Sequence, residues 1–284
     1  MLWMQLACVA IILSWLAWRV PRAPRAALLR LTLFALAAWA AEDSMIRVWH
    51  YYRYADGWWL RIDQVPLLVV VIWPIVIDSA GRLAACLVTP RTHAPGAFHR
   101  MLVAGVGASI VLADAALIEP VSVRAGLWSW VAPGLFDVPL IGICGWAFFA
   151  FAALAVLGDG TDARSPGWTS YLAPIAVPLA THAMVLVAWW GLFRWVQGPI
   201  DAELAVTVAW LALGTFTVAA LVTRLRHRIP LWELVMRVPG AAFFFALLAV
   251  RARDDWALVA WTSAMVPPYL ALLDVKRDKL EEAP

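Results

Sequence analysis

Apolar residues run along this chain in stretches of about twenty, divided by short polar or Pro/Gly-rich links, with no sustained period-two alternation between them. A helix rises about 1.5 Å per residue and has to cross roughly 30 Å of hydrocarbon, so runs of this length predict membrane-spanning helices. Nine stretches qualify, centred on 2–18, 28–45, 65–88, 101–119, 135–157, 170–192, 203–223, 231–250 and 256–273. The eighth is the weakest, because Glu233, Arg237 and Pro239 interrupt it. Backbone groups in lipid must be satisfied within a segment or in a closed barrel, and runs this continuous are not barrel strands. The expected fold is an all-α polytopic transmembrane bundle of eight or nine helices, a single integral membrane domain over 1–284 that sits in a lipid bilayer.

Composition agrees with the pattern. Hydrophobic residues make up 64% of the 284 positions, charged residues 14%, and there are 19 tryptophans, far from the balance of a soluble domain. The net charge of +3 calls for no nucleic-acid partner, since the basic residues fall where membrane topology puts them. Counting helix ends with their loops, 14 Lys and Arg lie at the links after the odd-numbered helices and in the tail, against 7 at the links after the even-numbered ones. Arg19, Arg22, Arg25 and Arg30 form one cluster and Arg224, Arg226 and Arg228 another. The basic excess marks the cytoplasmic side, which predicts nine helices with the N-terminus outside and the C-terminus inside. The first run has no positive charge before it and no small-residue cleavage pattern, and reads as a retained helix. Cys8, Cys86 and Cys144 stand singly, without a CxxC pair, so neither a disulfide framework nor a zinc site is indicated.

One internal comparison adds more than any period search. In "EDSMIRVWHYYRYADGWWLRIDQVPLLVVVIW", Glu42 is followed five residues later by Arg47, then Tyr52-x-Tyr54, then Val65-Pro66-Leu67, with Trp73 seven after the proline. In "EPVSVRAGLWSWVAPGLFDVPLIGICGW", Glu119 is followed five later by Arg124, then Trp128-x-Trp130, then Val138-Pro139-Leu140, with Trp146 seven after the proline. Each stretch reads as a helix hairpin with a glutamate closing one helix, an aromatic pair in the loop and a proline opening the next helix, where a missing N–H costs nothing. The repeat units span about 28–88 and 101–157, with their polar residues on one side of the membrane. Tryptophans such as Trp58, Trp59, Trp128 and Trp130 also suit an interfacial belt, but a belt requires neither the glutamate nor the Val-Pro-Leu.

Ionisable groups at membrane depth cost about 2.5–3.5 kcal/mol on insertion scales and usually face a cavity or a partner. Glu42, Asp78, Asp114 and Glu119 are such groups. Five residues turn a helix through about 500°, so Asp114 and Glu119 point apart along a straight helix. Pro120 is expected to end the helical ladder after Glu119 and let that side chain swing inward. The plainer readings are a Glu119–Arg124 salt bridge, a helix-end charge for Asp78, a helix–helix hydrogen bond for His182 and an i,i+4 pair between Glu233 and Arg237. No GxSxG, HExxH, phosphate loop, dinucleotide fingerprint or histidine cluster is present, so metal and redox chemistry are disfavoured and no cofactor is expected. Carboxylates, aromatics and an oily interior suit acid chemistry on an apolar substrate.

"DAALIEPVSVRAGLWSW" followed by "DVPLIGICGW" resembles the second signature of the integral-membrane carotenoid hydratases, of the bisanhydrobacterioruberin hydratase kind; Glu42, "YRY" at 52–54 and "VPLLVVVIW" at 65–73 resemble the first. The likeness covers residues 40–150. Where that family has asparagine and glycine, this chain has Gly142 and Asp137. The resemblance implies a lyase of carotenoid biosynthesis in a bacterial cell membrane, which binds a lipophilic carotenoid or other isoprenoid and adds water across its terminal C1=C2 bond without a cofactor. Its acid is expected to be Asp114 or Glu119, with Glu42 as the water-side partner. Tyr52, Tyr54, Trp73, Trp128, Trp130 and Trp146 are the expected substrate-binding aromatics, since aromatic faces stabilise a cation. Two other readings stay open: a membrane lycopene-cyclase-like enzyme, and a non-enzymatic proton-coupled transporter or lipid-binding protein.

Overall fold

A computed structural model describes residues 1–88, 96–158, 168–224, 229 and 231–272. Arg226, Arg228 and the basic residues of the tail lie outside them. Among the described residues eight helical spans are long and apolar enough to cross a membrane, and the protein is a multi-pass, all-α membrane bundle. In order these are α1 (Leu2–Arg19), α2 (Pro24–Trp49), α3 (Leu67–Leu87), α4 (Ala97–Arg124), α5 (Leu140–Leu157), α6 (Ala173–Gly191), α7 (Ala202–Arg224) and the pair α8 (Leu231–Val235) and α9 (Val238–Arg251). The stretch expected as one ninth helix is instead α10 (Trp256–Ser263) and α11 (Val266–Leu272). At 8 and 7 residues these rise only about 12 and 10 Å. A turn precedes Pro267 and Pro268, which occupy the opening turn of α11, where proline is tolerated.

The two hairpins are α2–α3 and α4–α5. Pro66 and Pro139 are the residues immediately before α3 and α5, extended at ψ 131° and 141°, so each helix starts where proline places it. α2 ends at His50, whose left-handed φ of 53° stops the ladder. Pro120 does not end α4, contrary to the expectation from its sequence: the helix runs four residues further, to Arg124. A membrane helix absorbs such a proline because neighbouring groups take up the freed carbonyl.

The centre is built from small residues. Ala37, Ala38 and Ala41 of α2 meet Ala80 of α3, Ala104 and Ala108 of α4, and Ala150 and Ala153 of α5, with Phe34, Ile77 and Val111 filling the gaps. Small side chains let membrane helices approach closely, which matters where lipid supplies no hydrophobic drive for association. A Cβ on Gly107 would sit 2.4 Å from Leu154 Cδ1, so a side chain at residue 107 would require Leu154 to shift where α4 meets α5. α3 packs on α4, while α6 packs on both α2 and α5. The outward face of α7, with Leu204, Val208 and Leu211 exposed, is what a lipid-facing helix requires.

Four short strands lie at one end of the bundle. β2 (Arg61–Ile62) pairs with β3 (Val65–Pro66) inside the first loop. β1 (Tyr52–Tyr54) and β4 (Trp128–Trp130) come from different loops and pair antiparallel, with Tyr52 opposite Trp130 and Tyr54 opposite Trp128. The repeated aromatic pairs therefore face one another in a register centred on the Arg53–Ser129 pair. The start of α1 is tied to the same end: Gln5 donates to Gly57 O at 3.2 Å and accepts from Trp59 N at 2.6 Å.

Candidate functional site

Glu42 lies near the end of α2 and Glu119 near the end of α4, each one helix turn or more before the chain leaves for the ribbon. The repeat spacing gives each glutamate the same set of neighbours. Glu42 Oε2 accepts from the hydroxyls of Tyr52 and Tyr54, the latter at 3.0 Å, and its Oε1 accepts from Trp73 Nε1 at 2.8 Å. Glu119 Oε2 accepts from Trp128 Nε1 at 2.8 Å and Trp130 Nε1 at 2.9 Å, and its Oε1 accepts from Trp146 Nε1 at 2.7 Å. In both halves the ribbon supplies two donors to one oxygen and the following helix supplies one donor to the other.

The halves touch along their aromatics. Trp73 and Trp146 pack with ring centroids 4.4 Å apart, and Tyr52 lies 4.7 Å from Trp130. Both glutamates and all six of these aromatics line one cavity of about 140 Å³, whose remaining wall is almost wholly apolar. Among the described residues neither glutamate belongs to an ion pair. Charge-assisted hydrogen bonds from neutral donors take the place of a counter-ion, and such bonds are worth about 1.5–3 kcal/mol each. Burial, followed by the charge of Glu42 alongside, holds the Tyr52 and Tyr54 hydroxyls well above the usual phenol range, so they keep their protons and serve as neutral hydrogen-bonding groups.

Gly142 and Asp137 each have a local structural reason. A Cβ on Gly142 would come within 2.6–3.0 Å of the Trp130 ring, so the indole reaches Glu119 across a bare backbone. Asp137 has φ 65°, a left-handed conformation that favours glycine and that aspartate tolerates better than most residues.

Asp114 is not part of this cavity. It accepts from Arg237 and, at 3.0 Å, from the Tyr269 hydroxyl, while Arg237 also donates to Ser79 Oγ at 3.0 Å. Arg237 therefore pairs with Asp114 and not with Glu233, which is bound by Arg82 through two hydrogen bonds, one of 3.1 Å. Arg124 pairs with Asp255 rather than with Glu119. Asp78 is no simple helix-end charge: it is 4% exposed, accepts from Trp15 Nε1 at 3.3 Å and lies 3.9 Å from Arg19. His182 bridges α6 to α2, accepting from Trp49 Nε1 at 3.0 Å through Nδ1, with its Nε2 2.8 Å from Ser44 Oγ. Trp58 is buried beside Tyr54 and only Trp59 is exposed.

Parts of the cavity wall come from elements that carry no repeat motif. Met4 and Cys8 of α1, Thr181 and Val185 of α6, and Phe243 and Phe244 of α9 all line it. The run "AFFFALL" at 242–248 is the one signal that marks α9, and in a sequence this apolar it does not stand out. Among the described residues, no group of three or more His, Cys, Asp or Glu side chains is placed to hold a metal ion. No family model, curated protein or solved structure matches the chain.

Proposed function

We propose that the protein is a membrane enzyme that adds water by acid catalysis across a terminal carbon–carbon double bond of an acyclic isoprenoid, a carotenoid end being the substrate class that the signatures at 40–150 imply. The reading rests on one observation: two carboxyl groups that have no counter-ion among the described residues share an apolar, aromatic-walled cavity. An apolar wall admits a hydrocarbon, and a carboxyl in such surroundings can hold a proton near neutral pH. Transfer of that proton to the less substituted alkene carbon leaves a tertiary cation on the other. The π-faces of Tyr52, Trp130, Trp73 and Trp146 and the second carboxylate stabilise the cation, each face by up to about 2 kcal/mol when dry. Water adds to the cation, and loss of one of its protons to the carboxylate pair gives the tertiary alcohol and restores the site.

A second outcome shares the first step. The cavity wall offers few polar groups beyond the carboxylates and their partners, and Gly142 contributes no side chain to position water. Capture of the cation by an internal double bond would then give a ring. The basic-residue bias further supports a topology with the N-terminus, and with it the β1–β4 ribbon, on the outer face of a cell membrane.

Expression in a lycopene-producing host tests both outcomes. Hydration yields a more polar pigment heavier by one water, cyclisation yields an isomer of unchanged mass, and Glu42→Gln or Glu119→Gln should each lower either product by about 100-fold or more. An unchanged pigment profile with the wild-type chain correctly inserted would refute the reading and favour a transporter or lipid-binding role.

A further inference from the structure

The two half-sites have the same bond pattern but not the same chemistry. An indole N–H can only donate, whereas a phenol can donate or accept. Glu119 is held by three indoles, so each of those bonds uses a carboxylate lone pair, and a proton placed on Glu119 finds no acceptor among its partners. Glu42 is held by one indole and two phenols, and either phenol can turn to accept the O–H of a protonated Glu42. The two carboxyls also differ in access. Glu119 is 3% exposed, whereas Glu42 near the end of α2 and the ribbon tyrosines Tyr52 and Tyr54, which flank the exposed Arg53, are only partly buried, so Glu42 is the more accessible of the two to an incoming proton.

Two carboxylates that share an apolar cavity without a cation cannot both ionise cheaply, so a single proton between them is the favoured state. Donor chemistry decides where it sits. Building on the acid-catalysed reading above, we infer that Glu42, with Tyr52 and Tyr54, holds and reloads the catalytic proton, while Glu119 remains a carboxylate under its three indoles and faces the developing cation as counter-charge. This reverses the roles expected from the sequence, in which Glu119 or Asp114 was the acid. In the catalytic cycle Glu42 gives its proton to the alkene carbon. It regains one from the attacking water, directly or through a phenol that accepts on one side as it donates on the other.

Infrared spectra of the purified full-length protein in detergent read the protonation state without any substrate. The carboxylic C=O stretch should be lost from the spectrum of Glu42→Gln and persist in that of Glu119→Gln. In the double variant Tyr52→Phe, Tyr54→Phe it should move to higher frequency, because the acid loses its hydrogen bonds while Glu42 itself is retained. The same double variant should slow turnover by at least tenfold, whereas Trp128→Phe should leave the band in place. Loss of the band in Glu119→Gln alone, no response in any variant, or separate bands lost from each glutamate would overturn the assignment. A protein inactive on isoprenoids that still shows the Glu42 band would refute the proposed reaction and leave the proton assignment standing.

Discussion

Asp114 and Glu119 lie five residues apart on α4, yet they meet the cost of a carboxyl at membrane depth in opposite ways. Asp114 faces α9 and α11 and is neutralised by Arg237, with Tyr269 and Ser79 completing the network. Glu119 faces the other hairpin and is stabilised by three neutral N–H groups. An ion pair fixes both charges and leaves no reason to exchange a proton. A carboxylate held by neutral donors has no cation of its own and is left to act as counter-charge to a cation formed in the cavity, which an ion-paired strut is not. The difference separates a strut from a reactive group better than depth in the membrane does.

The sharpest way to break the contrast is to remove the cation. Arg237→Ala strands Asp114 with Tyr269 as its one remaining donor, and about 3–5 kcal/mol of stability should be lost, seen as a lower thermal midpoint in detergent. Asp114→Asn combined with Arg237→Gln should recover more than half of it, since no uncompensated charge is left. If the single variant unfolds like the wild type, the ion pair is not what holds Asp114.

A smaller effect is expected where a neutral donor is removed. Trp146→Phe keeps most of the packing against Trp73 and deletes one hydrogen bond to Glu119, a loss of about 1.5–3 kcal/mol. The same assay should then show a smaller shift than Arg237→Ala, accompanied by a drop in turnover that the ion-pair variants do not share. Equal stability losses without a change in turnover would make the two carboxyls alike.

Gly142→Ala should have the smallest effect, because it adds one methyl group and removes no polar atom. The new Cβ meets the Trp130 ring and pushes the indole away from Glu119, a cost of about 1–3 kcal/mol, with the lower end expected if the indole can retilt. An unchanged Trp130 indole N–H resonance, assigned by its loss in Trp130→Phe, would show that the indole does not move.

Much of this was legible in the sequence, for definable reasons. The membrane class and the approximate helix positions follow from apolar run length, a property of contiguous residues. The hairpin repeat is visible because covalent spacing places Glu, the aromatic pair, proline and tryptophan in the same order twice, and the environments of Glu42 and Glu119 repeat for that reason. Pro120 departs from the expectation because tertiary packing and the surrounding lipid decide where α4 ends, and the stretch from 256 to 273 departs because apolar run length passes over the turn before Pro267 and Pro268. Asp114 looked like the equal of Glu119, since nothing near it in sequence announces an arginine 123 positions away.

Sequence by itself thus determined what each residue brings: run lengths, the repeated donors, and the substitution of two tyrosines by two tryptophans between the halves. Only the tertiary structure decided which of them meet. β1 and β4 are three residues each and more than seventy positions apart, too short and too distant for their pairing to be encoded locally. That pairing joins the two half-sites, which also meet at Trp73 and Trp146, while the helix turns Asp114, five residues before Glu119, toward a different partner.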